Sequence, residues 1–517
     1  MSETVTTAWG KVYLVGAGPG DPGLITVRGL RCLQRADVIL HDYLVDPRIL
    51  TLARAGAETI CLDRQERSRL GSQEEINARV IQWAREGRTV VRLKSGDPAV
   101  FARGADEIEP LVTAGISFEV VPGITAGLAV GSYTGIPVTH RGLSSAVALV
   151  TGHEDDDKAG RSLDYEALAR FPGTLVYYMG VTSARHWTAA LVAAGKSADT
   201  PAAIVRRCTC PDQTLVLCSL GEVAERLERA AVSPPVVVVV GDAVRLAPTL
   251  DWFNRRPLFG RRVLVTRAAG QASKLAELLE DQGAEVLRQP AIEIGPPADW
   301  GAVDRALAQL SQFDWLVFSS SNGVRFLLER LFASGRDLRA LGRVRVAAIG
   351  PGTAEELTHF HLRADLQPDS FRAESLAAAL APQARGRQFL LARASRGREV
   401  LADELRRAGG HVQQVVVYSS TDCPTPEPGI KQQLGEGQIH FVTVTSSAIA
   451  NSLSRLFGDR LCNARLVSIS PVTSDALRAC GLSPSIEATT YTMEGVVEAI
   501  LQAVREESRP DKQPLGL

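Results

Sequence analysis

A chain of 517 residues is longer than the roughly 250 to 300 residues over which one hydrophobic core keeps growing, so two or more domains are expected. Hydrophobic residues make up 45% and charged residues 22%, and the apolar runs stay near the length of the pentavaline at Val236–Val240, far from the ~20 residues of a membrane span. Lys plus Arg (57) almost cancels Asp plus Glu (58), which leaves no basic surplus for nucleic acid or an anionic membrane, so any anionic ligand must be held by local arginines.

The first eleven residues, MSETVTTAWGK, contain neither a basic nor an apolar signal region, and a cytoplasmic location is the expectation. Lys11–Gly16 reads as a buried strand closed by a glycine; Leu24–Arg35 carries apolar residues at helical spacing, and a second strand opens at Ala36. Further strands are predicted at RTVVRLK, SFEVVPG, SAVALVTG, GTLVYYMG and PPVVVVVG, with helical stretches between them, so residues 11–245 read as an α/β domain. Residues 246–260 hold two prolines and no clean period, which marks a linker. From Val263 strands and helices alternate again, giving a second α/β domain over residues 261–503 and a tail over 504–517 expected to be disordered. This second half echoes itself: Val317–Asn322 resembles Val442–Ser447, and Ile349–Thr353 resembles Ile469–Thr473, as two similar lobes facing a cleft would produce. Eight cysteines lack zinc-site spacing, Cys208 and Cys210 included, and read as free thiols; no metal site is expected.

Gly16–Asp21 (GAGPGD) follows a strand but places Asp21 where a dinucleotide-binding fingerprint needs its third glycine, and Pro19 removes a backbone donor. A glycine-rich turn that admits a ligand close to the backbone is the reading that remains. In order along the chain come GAGPGDPG, HDYLVD, QEEIN, VVRLKSGDPAVFARG, VVPGITAG, GIPVTHRG, TGHE and YYMG. Together they resemble the S-adenosylmethionine-dependent uroporphyrinogen-III C-methyltransferases. The resemblance implies a two-lobed α/β enzyme, a homodimer, that methylates carbons 2 and 7 of uroporphyrinogen III to give precorrin-2. It places Pro19, Ser95, Gly96, Asp97, Val100, Thr125, Ala126, Met179 and Cys208 around S-adenosylmethionine. It makes Asp42 the acceptor of the ring proton, with a helix N-cap as the plain alternative, and Arg141 an anchor for substrate carboxylates, with a surface ion pair as its alternative. Around Leu62–Asp63–Arg64 the family usually has Gly-Lys-Arg, and Arg64 stands in for the lysine assigned as proton donor; a permanently charged guanidinium is a poor donor and a good anchor. Ser95 stands where a glycine is usual.

In the second half the Ser/Thr-rich strand ends at Ser320, Ser446 and Thr473 suit anionic groups held at helix starts. The succession VLVTRA, PAIEI, FDWLVFSSSNGV, AAIGPGTAEEL, FLLARA, VVVYSS, FVTVTSSAI, ISPVTSDAL and YTMEGVVEAI resembles uroporphyrinogen-III synthase. That family's fold implies one lobe from residues 261–295 and 423–503 and another from 296–422. The implied reaction is cofactor-free cyclisation of hydroxymethylbilane with inversion of its last pyrrole. Tyr418 matches the tyrosine that assists loss of the hydroxyl, a strand-end packing residue being the alternative; Ser320, Ser446 and Thr473, with Arg267 and Arg393, hold carboxylate arms, and Ser470 replaces a common glycine. The partners implied are small tetrapyrroles and a separate precorrin-2 dehydrogenase and chelatase. The rival reading is a methyltransferase whose C-terminal half binds a tetrapyrrole without catalysis.

Overall fold

The computed structural model describes residues 9–62, 72–153, 163–268 and 271–507. The chain falls into two compact units, Met1–Phe259 and Gly260–Leu517.

The first unit contains two five-stranded sheets. One is wholly parallel and has the order β3-β2-β4-β1-β5, formed by β1 (Val12–Gly16), β2 (Val38–Asp42), β3 (Glu58–Leu62), β4 (Val90–Lys94) and β5 (Phe118–Val121). The other has the order β6-β7-β10-β8-β9 and is mixed: β6 (Val147–Thr151), β7 (Thr174–Tyr178), β8 (Pro201–Arg206), β9 (Thr214–Ser219) and β10 (Val236–Val240). The pentavaline of β10 runs between β7 and β8 and is buried throughout, which accounts for its unbroken apolar sequence. Tyr177 and Trp187 stack at 4.1 Å in the core beneath it. The helix Gln73–Arg85 starts at a capping box in which Ser72 and Glu75 satisfy each other's backbone donors.

The segment 246–260, expected to be a linker, instead finishes the first unit. Leu258 is fully buried and Phe253 nearly so; Trp252 Nε1 donates to the carbonyl of Ser132 (2.7 Å), and Tyr133 packs on both Trp252 and Phe253. The adjacent Trp252 and Phe253 carry no helical or strand period, yet Phe253 is buried and Trp252, half exposed, packs against Tyr133 to make an irregular strap.

The second unit is also built on two five-stranded sheets. The first is wholly parallel, with order β12-β11-β18-β19-β20, and takes β11 (Arg262–Val265), β12 (Glu285–Arg288), β18 (Phe441–Val444), β19 (Arg465–Ser468) and β20 (Ile486–Glu487). The second has the order β13-β17-β16-β14-β15, from β13 (Ile292–Gly295), β14 (Trp315–Phe318), β15 (Arg345–Ala348), β16 (Gln388–Ala394) and β17 (His411–Asp422). The two chain ends therefore make one lobe and the middle makes the other. The crossing point comes earlier than residue 295, because Ile292–Gly295 pairs antiparallel with the far end of β17. Ile292 still packs in the core of the first lobe, so this strand bridges the two. Residues 504–507 of the expected tail are helical: the last helix runs Met493–Glu507, and Glu507 is ion-paired to Arg261 and Arg465, while 508–517 lie outside the described residues.

The internal echo has a structural counterpart. Ser320 and Ser446 both cap helices from extended backbone, their hydroxyls accepting from Gly323 N (3.1 Å) and Ile449 N (3.2 Å). Gly350 and Ser470 are likewise extended caps, each followed by a proline. With φ at −162°, Ser470 needs no glycine.

Candidate active sites

In a parallel sheet, ligands bind beyond the carboxyl ends of the strands. At those ends in the first unit lie Gly16, Asp42 and Lys94. Asp42 is half-buried. Its Oδ1 accepts from Arg92 Nη2, and Oδ2 accepts from Ser95 N at 3.3 Å. It is not a helix cap, since Asp46 caps Pro47–Leu50. Behind it, Arg92 Nε lies 3.1 Å from Glu107 Oε2, and Lys94 Nζ donates to Glu107 Oε1 at 2.6 Å; all three side chains are at most 6% exposed. Burial pulls the Lys94 ammonium below its usual range, and the neighbouring Arg92 charge adds to this. Two cations thus share two carboxylates, of which only Asp42 reaches the surface. The sequence reading missed Arg92, Lys94 and Glu107. The two basic residues alternate along an otherwise apolar strand, a signal of one charged face, but their partner on the helix Gly104–Thr113 is found only by the packing.

The glycine-rich loops meet beside this network. Gly18 and Gly96 form an antiparallel bridge, and Asp97 accepts from Ala99 N (2.7 Å) and Gly123 N (3.0 Å). A Cβ on Gly123 would stand 2.2 Å from the Gly96 carbonyl, so the loops can approach only as glycine backbone. Gly96 itself has φ +71°, whereas Ser95 is not left-handed, so the serine is accommodated where a glycine is usual. Thr125 Oγ1 is 2.7 Å from Tyr178 OH, whose ring packs on Phe101 at 5.0 Å. Phe101 and Met179 are both in left-handed backbone, and both stay large, apolar and 41% and 50% exposed. Strained backbone that presents apolar side chains to an open face beside glycine turns suits a ligand with a flat ring and a polar chain. Pro19, Ser95, Gly96, Asp97, Val100 and Thr125 lie on these loops, Ala126 opens the helix Ala126–Tyr133, and Met179 lies just beyond β7.

Three assigned residues stand apart. The Cys208 thiol is buried in the core with Val205 and Val237, and burial pushes its pKa up; of Cys208 only the backbone carbonyl comes near Gly20, where the side chains of Thr209 and Cys210 lie closer. Arg141 is exposed on the turn between His140 and Ser144, and among the described residues no hydrogen bond or ion pair joins it to Asp42. Arg64 lies outside the described residues.

In the second unit Tyr418 is nearly buried near the end of β17, its hydroxyl 3.0 Å from Ser320 Oγ. A one-residue shift in the pairing of β16 with β17, between Arg393 and Ala394, sets this orientation. The irregularity at Val417 leaves Val417 and Tyr418 both buried and breaks the strand's alternation. Burial holds the phenol above its usual pKa, so it keeps its proton. Arg267 has no carboxylate partner among the described residues: Nη1 meets Met493 Sδ at 2.9 Å, Nη2 meets Gln271 Oε1 at 3.4 Å, and Nε is buried without an acceptor. Gln271 in turn donates to Asn322 of the other lobe at 2.7 Å. Arg393 is already committed to Glu399 and Gln414. Thr473 is buried with its hydroxyl 3.2 Å from Ser470, and Ser446 caps its helix on the lobe opposite Ser320. Among the described residues no cluster of His, Cys, Asp or Glu could hold a metal ion, and no helix is long and apolar enough to cross a membrane.

The family model of tetrapyrrole (corrin/porphyrin) methylases matches residues 11–224, and that of uroporphyrinogen-III synthase HemD matches residues 273–498. The porphyrin biosynthesis protein HemD of Ruminiclostridium josui is 31% identical over 495 residues, 95% of this chain and 98% of that protein. The S-adenosyl-L-methionine-dependent uroporphyrinogen III methyltransferase of Methanosarcina barkeri is 47% identical over 238 residues, 46% of this chain and 93% of its own length. Among solved structures, the uroporphyrin-III C-methyltransferase of Thermus thermophilus with S-adenosyl homocysteine is 39% identical, covers 47% of this chain and 99% of its own, and has a TM-score of 0.40. A mutant uroporphyrinogen III synthase of Thermus thermophilus is 19% identical, covers 48% of this chain and 99% of its own, and has a TM-score of 0.37. Matched along 95% of its length by one porphyrin biosynthesis protein, and in its two halves by the two family models, the chain belongs to the tetrapyrrole enzymes that join a uroporphyrinogen-III C-methyltransferase to a uroporphyrinogen-III synthase.

Proposed function

We propose that this chain cyclises hydroxymethylbilane to uroporphyrinogen III in its C-terminal unit and methylates that product at carbons 2 and 7 in its N-terminal unit, ending at precorrin-2. The observation that carries the first unit's part is Asp42: a carboxylate at an open strand end, gripped by Arg92 and next to the glycine loops. S-adenosylmethionine, when bound, supplies a methyl group on a positively charged sulfur. The loops Gly16–Gly20 and Ser95–Val100 position it, Met179 and Phe101 cover its flat ring, and Asp42 takes the ring proton released once the carbon is methylated.

In the second unit the protonated Tyr418 phenol donates to the departing hydroxyl, which leaves as water, and Ser320 holds the phenol in place. Arg267, lacking a carboxylate of its own, anchors one arm of the substrate. Ser446 and Thr473 hold further arms at helix starts. The same reading makes the protein a homodimer and gives the later oxidation and metal insertion to a separate enzyme.

The test is anaerobic incubation of the whole chain with enzymatically generated hydroxymethylbilane, with and without S-adenosylmethionine, followed by mass and isomer-resolving chromatography. Isomer III without the donor and a doubly methylated product with it are the expected results. Isomer I alone overturns the synthase assignment, and unmethylated isomer III with the donor present overturns the methyltransferase assignment.

A further inference from the structure

Beyond the carboxyl ends of β14 and β16 lies a cavity of about 240 Å3, walled in part by Ser319, Arg393, Arg396, Arg398, Ala373 and Tyr418. Pockets that enclose a whole drug-sized ligand run to roughly 300–1,000 Å3, so this one is too small for a tetrapyrrole and is the size of an arm of one. Its three guanidinium groups are not equivalent. Arg393 is tied to Glu399, and Arg398 to Glu374. Arg396 donates through Nε to Ser420 Oγ (3.1 Å) and through Nη1 to Asp422 Oδ1 (2.5 Å), while its Nη2 is buried and has no acceptor among the described residues.

A guanidinium is charged at every relevant pH, and its planar fork matches a carboxylate. Here one edge of the fork is fixed by Asp422, which also accepts from Ser452 and pairs with Arg455 of the other lobe. The guanidinium is therefore held in place at the cavity wall before any ligand arrives, and Nη2 is the nitrogen left without an acceptor, for which an oxygen anion small enough for the cavity is the fitting partner. Tyr418 belongs to the same wall, so a ring whose arm enters here is held beside the phenol.

We propose that this cavity is a subsite for one carboxylate-bearing arm of the linear tetrapyrrole, gripped by Arg396, and that it helps decide which carbon is attacked in ring closure. The proposal rests on the synthase reading of the second unit. It is tested on the full chain without S-adenosylmethionine by measuring KM for hydroxymethylbilane and the ratio of isomer III to isomer I. Arg396→Gln is expected to raise KM about tenfold or more and to lower the share of isomer III, the loss of one charge-assisted hydrogen bond being of that size. Ala373→Leu, which fills the cavity and leaves every charge in place, moves both quantities the same way. Arg406→Gln, which alters an outward arginine, keeps the wild-type isomer ratio. Wild-type KM and ratio in both Arg396→Gln and Ala373→Leu overturn the subsite, as does an Arg406→Gln enzyme with the same altered ratio as Arg396→Gln. If the wild-type chain forms no isomer III, the synthase reading is what fails. The subsite is then judged by fluorescence-detected binding of uroporphyrin III, an octacarboxylate, which Arg396→Gln must weaken for the proposal to stand.

Discussion

Asp42 and Tyr418 are held in opposite ways, and their substitutions separate accordingly. Asp42 is an acidic side chain whose geometry depends on Arg92, and Asp42→Asn keeps its shape while removing the proton acceptor. Methyl transfer is expected to fall about 100-fold or more, with S-adenosylmethionine affinity nearly unchanged, as measured by single-turnover kinetics and calorimetric titration. Arg92→Gln is expected to slow methyl transfer in the wild-type background and to cost little further in Asp42→Asn, because it acts through that carboxylate; full additivity of the two losses counts against the pairing. Tyr418 is a neutral phenol whose folded pKa is raised by burial. A raised pKa means the native state holds its proton more tightly than the unfolded chain. The associated stability is present below the unfolded phenol value of about 10 and is lost as pH rises through that value toward the folded one. Tyr418→Phe should therefore flatten the alkaline loss of stability of the second unit above about pH 10, read by chemical denaturation at fixed pH, while also slowing ring closure.

At the scale of elements, the first parallel sheet is joined to the helix Gly104–Thr113 by charge as well as by apolar packing. Glu107 is shared by Arg92 and Lys94, all three buried, and one of its oxygens, Oε2, has no hydrogen-bond partner among the described residues although Arg92 Nε lies within ion-pair distance. Glu107→Gln leaves two buried cations facing only Asp42. Removing one member of a buried ion pair typically costs about 3–5 kcal/mol, and the first unit should lose stability on that order, seen as an earlier denaturant midpoint for that unit. Both basic residues could be read on β4, but their joint partner could not, since a helix carrying ADEIE offers several acidic candidates and only the helix rotation selects Glu107. β17 teaches the same at the sheet level. VVVYSS is an obvious strand, yet the one-residue shift at Val417 decides which face Tyr418 takes, and a period of two cannot reveal a bulge.

For the whole molecule, the division at Phe259 and Gly260 predicts that a chain cut there yields two pieces that each fold, since each unit has its own sheets and buried cores. Two separate calorimetric transitions, and retained activity in each piece on its own substrate, are the expected outcome; a first piece ending before Trp252 should be markedly less stable, because it loses the aromatic strap. Much of this organisation could be read from the chain itself: two α/β halves, glycine turns and Ser/Thr caps at strand ends, the duplicated lobes of the second half, and the placing of Asp42 and Tyr418 among them. Those features are local, because strand periodicity, capping and turn chemistry depend on residues within a few positions of each other. Long-range packing settled the remainder. Glu107 meeting Lys94 across 13 residues, Arg396 meeting Ser420 and Asp422 at the cavity wall, Cys208 sinking into the core, the strap closing on Tyr133 and the early crossing of Ile292 into the second lobe all join segments whose sequences carry no mark of one another. Charge pairing and apolar burial act between whatever surfaces the fold brings together, so their outcome belongs to the assembled structure.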